Sequence, residues 1–257
     1  MCRLFALRSR VPVSVHESLV TGTHSLEKQS CCDTRCERHE DGWGIGFYVN
    51  DEVRRVRSVR SAAADPNYAR LAESIRSEMV LAHVRQASMG PVLEKNCHPF
   101  SHGRWLFAHN GTLAGFPRVR EQLFQSLPER FQASVEGETD SELAFYLLLA
   151  GLEDAAGTRD PHPRALCQVM AQTIGMLADL CPGDANDPSR FNFVLTDGQR
   201  LLASRWGHSL HWLKRQDGAI AIASEPTTPE SWSELPDRSL FWVDRELNHG
   251  LEMLEGA

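Results

Sequence analysis

Short apolar runs separated by Asn-Asp, Asn-Gly and Asp-Gly dipeptides constrain this chain more than any other feature. Residues 42–50 alternate Trp43, Ile45, Phe47 and Val49 with Gly44, Gly46 and Tyr48, then Asn50-Asp51 turns into a second run over 53–59. Strict alternation is the mark of a strand, and such dipeptides favour the positive φ values of tight hairpin turns. Further strands are predicted over 3–8, 79–85 and 104–109, the last ending in Asn110-Gly111. Late in the chain come 192–196, Asp197-Gly198, 201–206, 208–213, Asp217-Gly218 and 219–224. Turns this short join antiparallel neighbours, so the sheets are expected to be largely antiparallel.

Helices fall between these two groups of strands. Residues 66–77, 117–127, 139–152 and 164–181 carry helical patterns, the last with apolar side chains at 165, 166, 169, 170, 174, 177 and 178. Thr139 followed by Glu142 reads as a capping box. Strands, then helices, then strands make an α+β chain of sheets covered by helices, without the βαβ alternation of a parallel sheet. Residues 155–161 are a candidate linker, but two single-faced sheets of this size pack most simply on each other, which predicts one domain over 1–257.

Charge and cysteine content narrow the function classes. The 257 residues carry 27 basic and 34 acidic side chains, a net charge of −7. That balance, with the arginines of 52–60 spaced as in a strand, argues against nucleic acid as a partner. The longest apolar run, 143–152, is too short to span a bilayer, and Arg8 and Arg10 interrupt the N-terminal apolar stretch before it makes a secretory core. A cytoplasmic location without a membrane partner is expected. Seven cysteines, an odd number in a chain large enough to need no staples, read as free thiols.

A few residues have chemistry to offer. Cys2 follows the initiator methionine, whose removal leaves a thiol on the N-terminal residue. An α-amine titrates at about 7.7–8.0, low enough to serve as a base beside its own nucleophile. Asn110 and Gly111 can supply a side-chain amide and a backbone N–H to a developing oxyanion; alone, the pair reads as an ordinary type I′ turn. Arg85, closing an apolar run, suits a carboxylate, and Asp140, at a helix start, suits an ammonium. Seen singly, the two read instead as a structural ion pair and a helix-start acid.

In order along the chain stand Cys2, the run from His39-Glu40-Asp41-Gly42-Trp43 to Tyr48, Leu81-Ala82-His83-Val84-Arg85, Phe107-Ala108-His109-Asn110-Gly111 and Gly137-Glu138-Thr139-Asp140. His24-Ser25-Leu26, Asn96-Cys97-His98-Pro99-Phe100, Leu195-Thr196-Asp197-Gly198 and Ala223-Ser224-Glu225-Pro226 extend the set. This ordered series resembles the class II glutamine amidotransferases, which are N-terminal-nucleophile hydrolases. It is most similar to their stand-alone bacterial members and to the γ-glutamyl amidohydrolase of ergothioneine synthesis.

The resemblance implies a four-layer αββα sandwich of two antiparallel sheets. It implies Cys2 as nucleophile with its α-amine as base, Asn110 and Gly111 as the oxyanion hole, Arg85 on a substrate α-carboxylate and Asp140 on its α-ammonium. Asp41, Gly42 and Trp43 would line the pocket. The expected reaction is hydrolysis of a γ-glutamyl amide, of glutamine or a γ-glutamyl amine, through a Cys2 thioester, with no cofactor. Departures exist. Arg85-Gln86-Ala87-Ser88-Met89 replaces the Arg-Trp-Ala-Thr-His run of synthetase-linked members, and no phosphate-binding loop follows, so any ammonia acceptor is expected to be a separate enzyme.

Cys31, Cys32, Cys36 and His39 lie within nine residues. The spacing lacks the paired Cys-x-x-Cys of a structural zinc site, so a loop of reduced, redox-sensitive thiols is expected and no metal. A non-catalytic protein of the same fold, sensing glutamine or a γ-glutamyl metabolite, is the competing class; a retained Met1 would favour it.

Overall fold

The strand turns act as the sequence suggests at Asn50-Asp51. In the computed structural model, which describes residues 2–155 and 161–254, both residues have positive φ (51° and 63°) and close a hairpin between β2 (Trp43–Val49) and β3 (Glu52–Ser58). These strands belong to a seven-stranded sheet with β1 (Arg3–Val13), β4 (Ser77–Val84), β9 (His211–Lys214), β10 (Ile220–Ala223) and β11 (Ser233–Glu234), in the order β11-β9-β10-β1-β4-β2-β3. A second sheet runs β13-β12-β8-β7-β6-β5, from β5 (Phe100–His102), β6 (Trp105–Asn110), β7 (Asn192–Thr196), β8 (Leu201–Arg205), β12 (Ser239–Val243) and β13 (His249–Met253). Every strand pair among the described residues is antiparallel.

Alternation along the strands sorts side chains into layers. Leu4, Ala6, Met79 and Leu81 of the first sheet meet Leu106, Ala108, Val194 and Phe241 of the second, and this inner core joins the sheets face to face. Phe5, Leu7, Trp43 and Ile45 point outward onto α1 (Leu26–Cys31) and α2 (Pro66–Ser74). Phe107, Phe193, Leu202 and Trp242 point outward from the second sheet onto α3 (Phe116–Ser126), α4 (Glu129–Gln132), α5 (Asp140–Ala155) and α6 (Pro163–Leu180). The result is the expected αββα sandwich. Gly44 and Gly46 allow its closest approach: a Cβ on Gly44 would lie 2.1 Å from the His98 carbonyl, and one on Gly46 would lie 2.7 Å from Leu106.

Two turn expectations fail, each for a physical reason. Neither Asn110 nor Gly111 has positive φ, so the pair forms no type I′ turn; the chain runs on from β6 to the helices. Residues 206–210 form no hairpin either, because β8 and β9 lie in different sheets and the chain crosses between them there. The capping box forms by half: Thr139 Oγ1 accepts from the Glu142 N–H at 3.2 Å, but the Glu142 carboxylate turns to the N–H groups of Glu136 (3.0 Å) and Gly137 (2.6 Å). The candidate linker lies largely outside the described residues. No helix among those described is long and apolar enough to cross a membrane.

Candidate active site

The site is assembled from the ends of four strands. Cys2 enters β1 buried, with its thiol against the backbone of Gln86: the Gln86 N–H donates to Sγ at 3.4 Å, and Sγ donates to the Gln86 carbonyl at 3.4 Å. Burial pushes the thiol pKa up, while the Gln86 N–H, Arg85 and Arg3 pull it back.

Asn110 ends β6 in the opposite sheet. Its Nδ2 donates to Ser224 Oγ at 3.1 Å, and the same hydroxyl oxygen accepts from the Leu4 N–H at 3.1 Å. Ser224, just past β10, therefore ties the strand of the thiol to the strand of the amide. Gly111 has no room for a side chain, since a Cβ would lie 2.2 Å from the Arg190 carbonyl and 2.4 Å from His109 Nε2. His109 Nε2 donates to that carbonyl at 2.8 Å, and Nδ1 lies 2.9 Å from Ser141 Oγ, whose one proton is also within reach of Asp140. Burial pulls the ring pKa down, against the opposing pull of Asp140 and the Arg190 carbonyl.

Asp140 and Arg85 are both almost fully buried and differ in their contacts. One Asp140 oxygen accepts from the Leu113 N–H at 2.7 Å; the other accepts from the N–H (2.8 Å) and hydroxyl (3.2 Å) of Ser141. Arg85 meets no carboxylate among the described residues. Its guanidinium donates to the carbonyls of Met89 (2.9 Å), Gly90 (3.3 Å) and Pro91 (3.2 Å). A buried cation without an anion is costly unless a ligand supplies one. The loop that holds it is fastened to the Asp140 side: Ser88 Oγ lies 2.9 Å from Thr112 Oγ1, and a Cβ on Gly90 would lie 3.3 Å from Thr139. Cys2 and Arg85 thus stand at neighbouring strand ends of one sheet, Asn110 and Gly111 at a strand end of the other, and Asp140 is bonded just beyond them at Leu113.

The segment expected to line the pocket divides. Asp41 accepts from the Ala87 N–H at 2.8 Å and steadies the turn after Arg85. Gly42, with φ of 128°, admits Cys97 and Ser58, which a Cβ would meet at 2.6 and 2.7 Å. Trp43 is turned away. Strand alternation sends it to the outer core, where Nε1 donates to Asp65 at 3.2 Å and the ring meets Tyr68 edge-on at 5.2 Å.

Spacing along the chain misses a charged cluster beside Cys2. Arg3 donates to the Cys2 carbonyl (2.9 Å), to Glu225 (3.1 Å) and, by a short contact, to Asp33. His39 Nε2 lies 3.0 Å from Asp33, His24 Nε2 lies 2.9 Å from Glu225, and Thr34 Oγ1 donates to Glu225 at 2.7 Å. Burial alone would raise the Glu225 pKa, but Thr34, Arg3 and His24 hold it down; Asp33 is held down likewise by the Glu37 N–H, His39 and Arg3. The one signal in sequence is an arginine at the head of the apolar run Leu4, Phe5, Ala6, Leu7. Of the thiol cluster, Cys31, Cys32 and Cys36 are exposed while His39 is buried and bound to Asp33. Among the described residues no group of three or more His, Cys, Asp or Glu side chains is placed to hold a metal ion.

Comparison with known proteins agrees with this geometry. Residues 1–224 match the family model described as glutamine amidotransferases class-II. The chain is similar to the γ-glutamyl-hercynylcysteine sulfoxide hydrolase of Mycolicibacterium smegmatis, 33% identical over 250 residues that cover 95% of this chain and 96% of that protein. It is also similar to a probable glutamine amidotransferase of Saccharomyces cerevisiae, 29% identical over 297 residues covering 96% and 82%. Among solved structures, a glutamine aminotransferase class-II domain protein from Silicibacter pomeroyi superposes with a TM-score of 0.69 at 27% identity, covering 99% of this chain and 100% of that one. The glutamine phosphoribosylpyrophosphate amidotransferase of Bacillus subtilis shares the fold alone, with a TM-score of 0.67 at 14% identity over half of its own chain.

Proposed function

The chain belongs to the class II glutamine amidotransferases, and from that premise we propose that residues 1–257 act as one domain that hydrolyses a γ-glutamyl amide through a thioester on Cys2. Loss of Met1 frees the Cys2 α-amine, which takes the thiol proton and leaves the thiolate. Arg85 receives the substrate α-carboxylate and Asp140 its α-ammonium, so that the γ-carbonyl lies over Sγ. The thiolate attacks that carbon. Negative charge moves to the carbonyl oxygen, where the second Nδ2 hydrogen of Asn110 and the N–H of Gly111 receive it. Collapse of the adduct breaks the C–N bond, and the leaving ammonia or amine takes the proton held by the Cys2 amine. Water, deprotonated by the same amine, then cleaves the thioester and releases glutamate. With glutamine as substrate, the ammonia is available to a separate acceptor enzyme.

The observation that carries this assignment is the buried Arg85 guanidinium, which meets no carboxylate among the described residues and is an electrostatic neighbour of the Cys2 thiol. The test is glutamate release from L-glutamine and from a panel of γ-glutamyl amides, using protein whose mass shows the loss of Met1. Release that disappears in Cys2→Ala is expected. Mature protein that binds these compounds and releases nothing from any of them would instead be a non-catalytic sensor.

A further inference from the structure

Two arginines reach the strand ends around Cys2 by different routes, Arg85 directly after β4 and Arg190 through the segment 206–210 that is anchored at Ser224. β1 is flanked by β4 on one edge and β10 on the other. Arg85 follows β4 and is spoken for by the glutamate head in the function proposed above. The β10 side is built differently. There the Ser224 carbonyl accepts from Ser209 Oγ at 2.9 Å, which anchors the crossing segment 206–210 beside the site. Asn192 clamps the same segment from the other sheet. Its Oδ1 accepts from the N–H groups of Trp206 (3.0 Å) and His208 (3.3 Å), and its Nδ2 donates to the carbonyl of His208 (3.0 Å).

Asn192 is paired in register with Asn110, and the ladder continues outward, with the Arg190 N–H donating to the Thr112 carbonyl at 3.1 Å. Side chains two residues apart share a face. Arg190 therefore has the parity of Asn192, Val194 and Thr196, of which Val194 packs in the core between the sheets. The stem of Arg190 lies against Gly207, where a Cβ would meet Cγ at 2.9 Å. Arg190 is half-buried, and its guanidinium donates to the Pro188 carbonyl at 3.2 Å and meets no carboxylate among the described residues. His208 stands half-buried beside it. Burial and the neighbouring Arg190 hold its pKa down at about 3, so it is a neutral hydrogen-bonding group.

We infer that Arg190, with His208, forms a subsite for a carboxylate carried by the leaving amine, so that the preferred substrate is a γ-glutamyl conjugate of an amino acid or peptide. With the α-groups of the substrate at Arg85 and Asp140, whatever lies beyond the scissile bond extends toward the β10 side. Ammonia leaving from glutamine brings nothing for Arg190 to bind. An amino acid or peptide brings a carboxylate, and a guanidinium grips that group with charge-assisted bonds.

The inference rests on the hydrolase assignment, and one substrate pair separates the two. γ-Glutamylglycine and γ-glutamylglycinamide differ by a carboxylate against a neutral amide. The mature wild-type protein is expected to favour the glycine conjugate in kcat/KM by about tenfold or more. In Arg190→Gln, kcat/KM for γ-glutamylglycine is expected to fall about tenfold further than for γ-glutamylglycinamide, through KM, with Arg190→Lys in between. Hydrolysis of both compounds at similar kcat/KM by the wild type, or an unchanged ratio in Arg190→Gln, overturns the subsite and leaves the hydrolase standing. If Arg190→Gln does not fold, the wild-type ratio decides alone. Mature wild-type protein that hydrolyses neither compound nor glutamine overturns the hydrolase assignment and the subsite together.

Discussion

Replacing Arg85 by lysine and by glutamine separates the charge of this side chain from its donor geometry. A guanidinium offers five N–H donors. Three go to the carbonyls of Met89, Gly90 and Pro91, which leaves two for an incoming carboxylate. A lysine ammonium has three donors in all. If the loop keeps its contacts, Arg85→Lys retains the charge with no donor left over. A hydrogen bond to a charged group contributes about 1.5–3 kcal/mol. Arg85→Lys should then lose about 2 kcal/mol, or about 30-fold in kcat/KM. Arg85→Gln gives up the charge as well and should lose about 4 kcal/mol, or about 900-fold. The α-carboxylate is remote from the breaking bond and is held alike in ground and transition states, so the loss belongs to KM. Folding should hold, because Arg85→Gln removes a buried cation that has no anion partner among the described residues to leave behind. Initial rates of glutamate release across a range of substrate concentrations, with urea midpoints for each variant, read both quantities. An unchanged KM in Arg85→Gln, or a loss confined to kcat, would refute the assignment of Arg85 to the substrate carboxylate.

Three further outcomes follow from contacts already described. Gly111→Ala would drive a methyl group to within 2.2 Å of the Arg190 carbonyl, displacing the strand and the N–H it presents; kcat for glutamate release should fall by about 100- to 1,000-fold. Arg3→Met leaves Asp33 and Glu225 buried without their shared cation; a loss of about 3–5 kcal/mol in unfolding free energy is expected, read from urea curves, and a loss below about 1 kcal/mol would contradict the network. Burial together with Arg85 and nearby histidines lowers the His83 pKa to about 3, and burial holds His98 well below its usual value. The unfolded chain then binds more protons than the folded one from about pH 6.5 downward, so stability falls by about 1.4 kcal/mol per pH unit for each ring. Equal urea midpoints at about pH 7.5 and about pH 5.5 would contradict neutral burial of these rings.

How much of this was legible before the fold was known varies from residue to residue. The Asn50-Asp51 hairpin was, because turn chemistry is local and both residues adopt the backbone it demands. Asn110-Gly111 carries the same local signal and obeys a different demand, the close approach of Arg190 and His109 across the sheet. Trp43 shows the limit of carrying over a whole segment. Its alternation with Gly44 and Gly46 already placed it on the face opposite the inter-sheet contact. The cluster of Arg3, Asp33, His39 and Glu225 joins positions more than 200 residues apart, a partnership that only the tertiary fold creates. The crossing at 206–210 was hidden for a related reason. Two short strands joined by a glycine look alike whether they pair with each other or serve different sheets.

Cys2 and Asn110, the proposed nucleophile and oxyanion donor, hang from separate sheets, and Gly44 and Gly46 set how near those sheets come. On the proposed mechanism, catalytic competence is a property of layer spacing as much as of side chains. Warming or mild denaturant that loosens the inner core while each sheet keeps its own hydrogen bonds would part Cys2 from Asn110 first. Far-ultraviolet ellipticity would still report a folded protein when turnover had already stopped. Activity becomes the finer gauge of the two, sensitive to a separation no wider than a hydrogen bond.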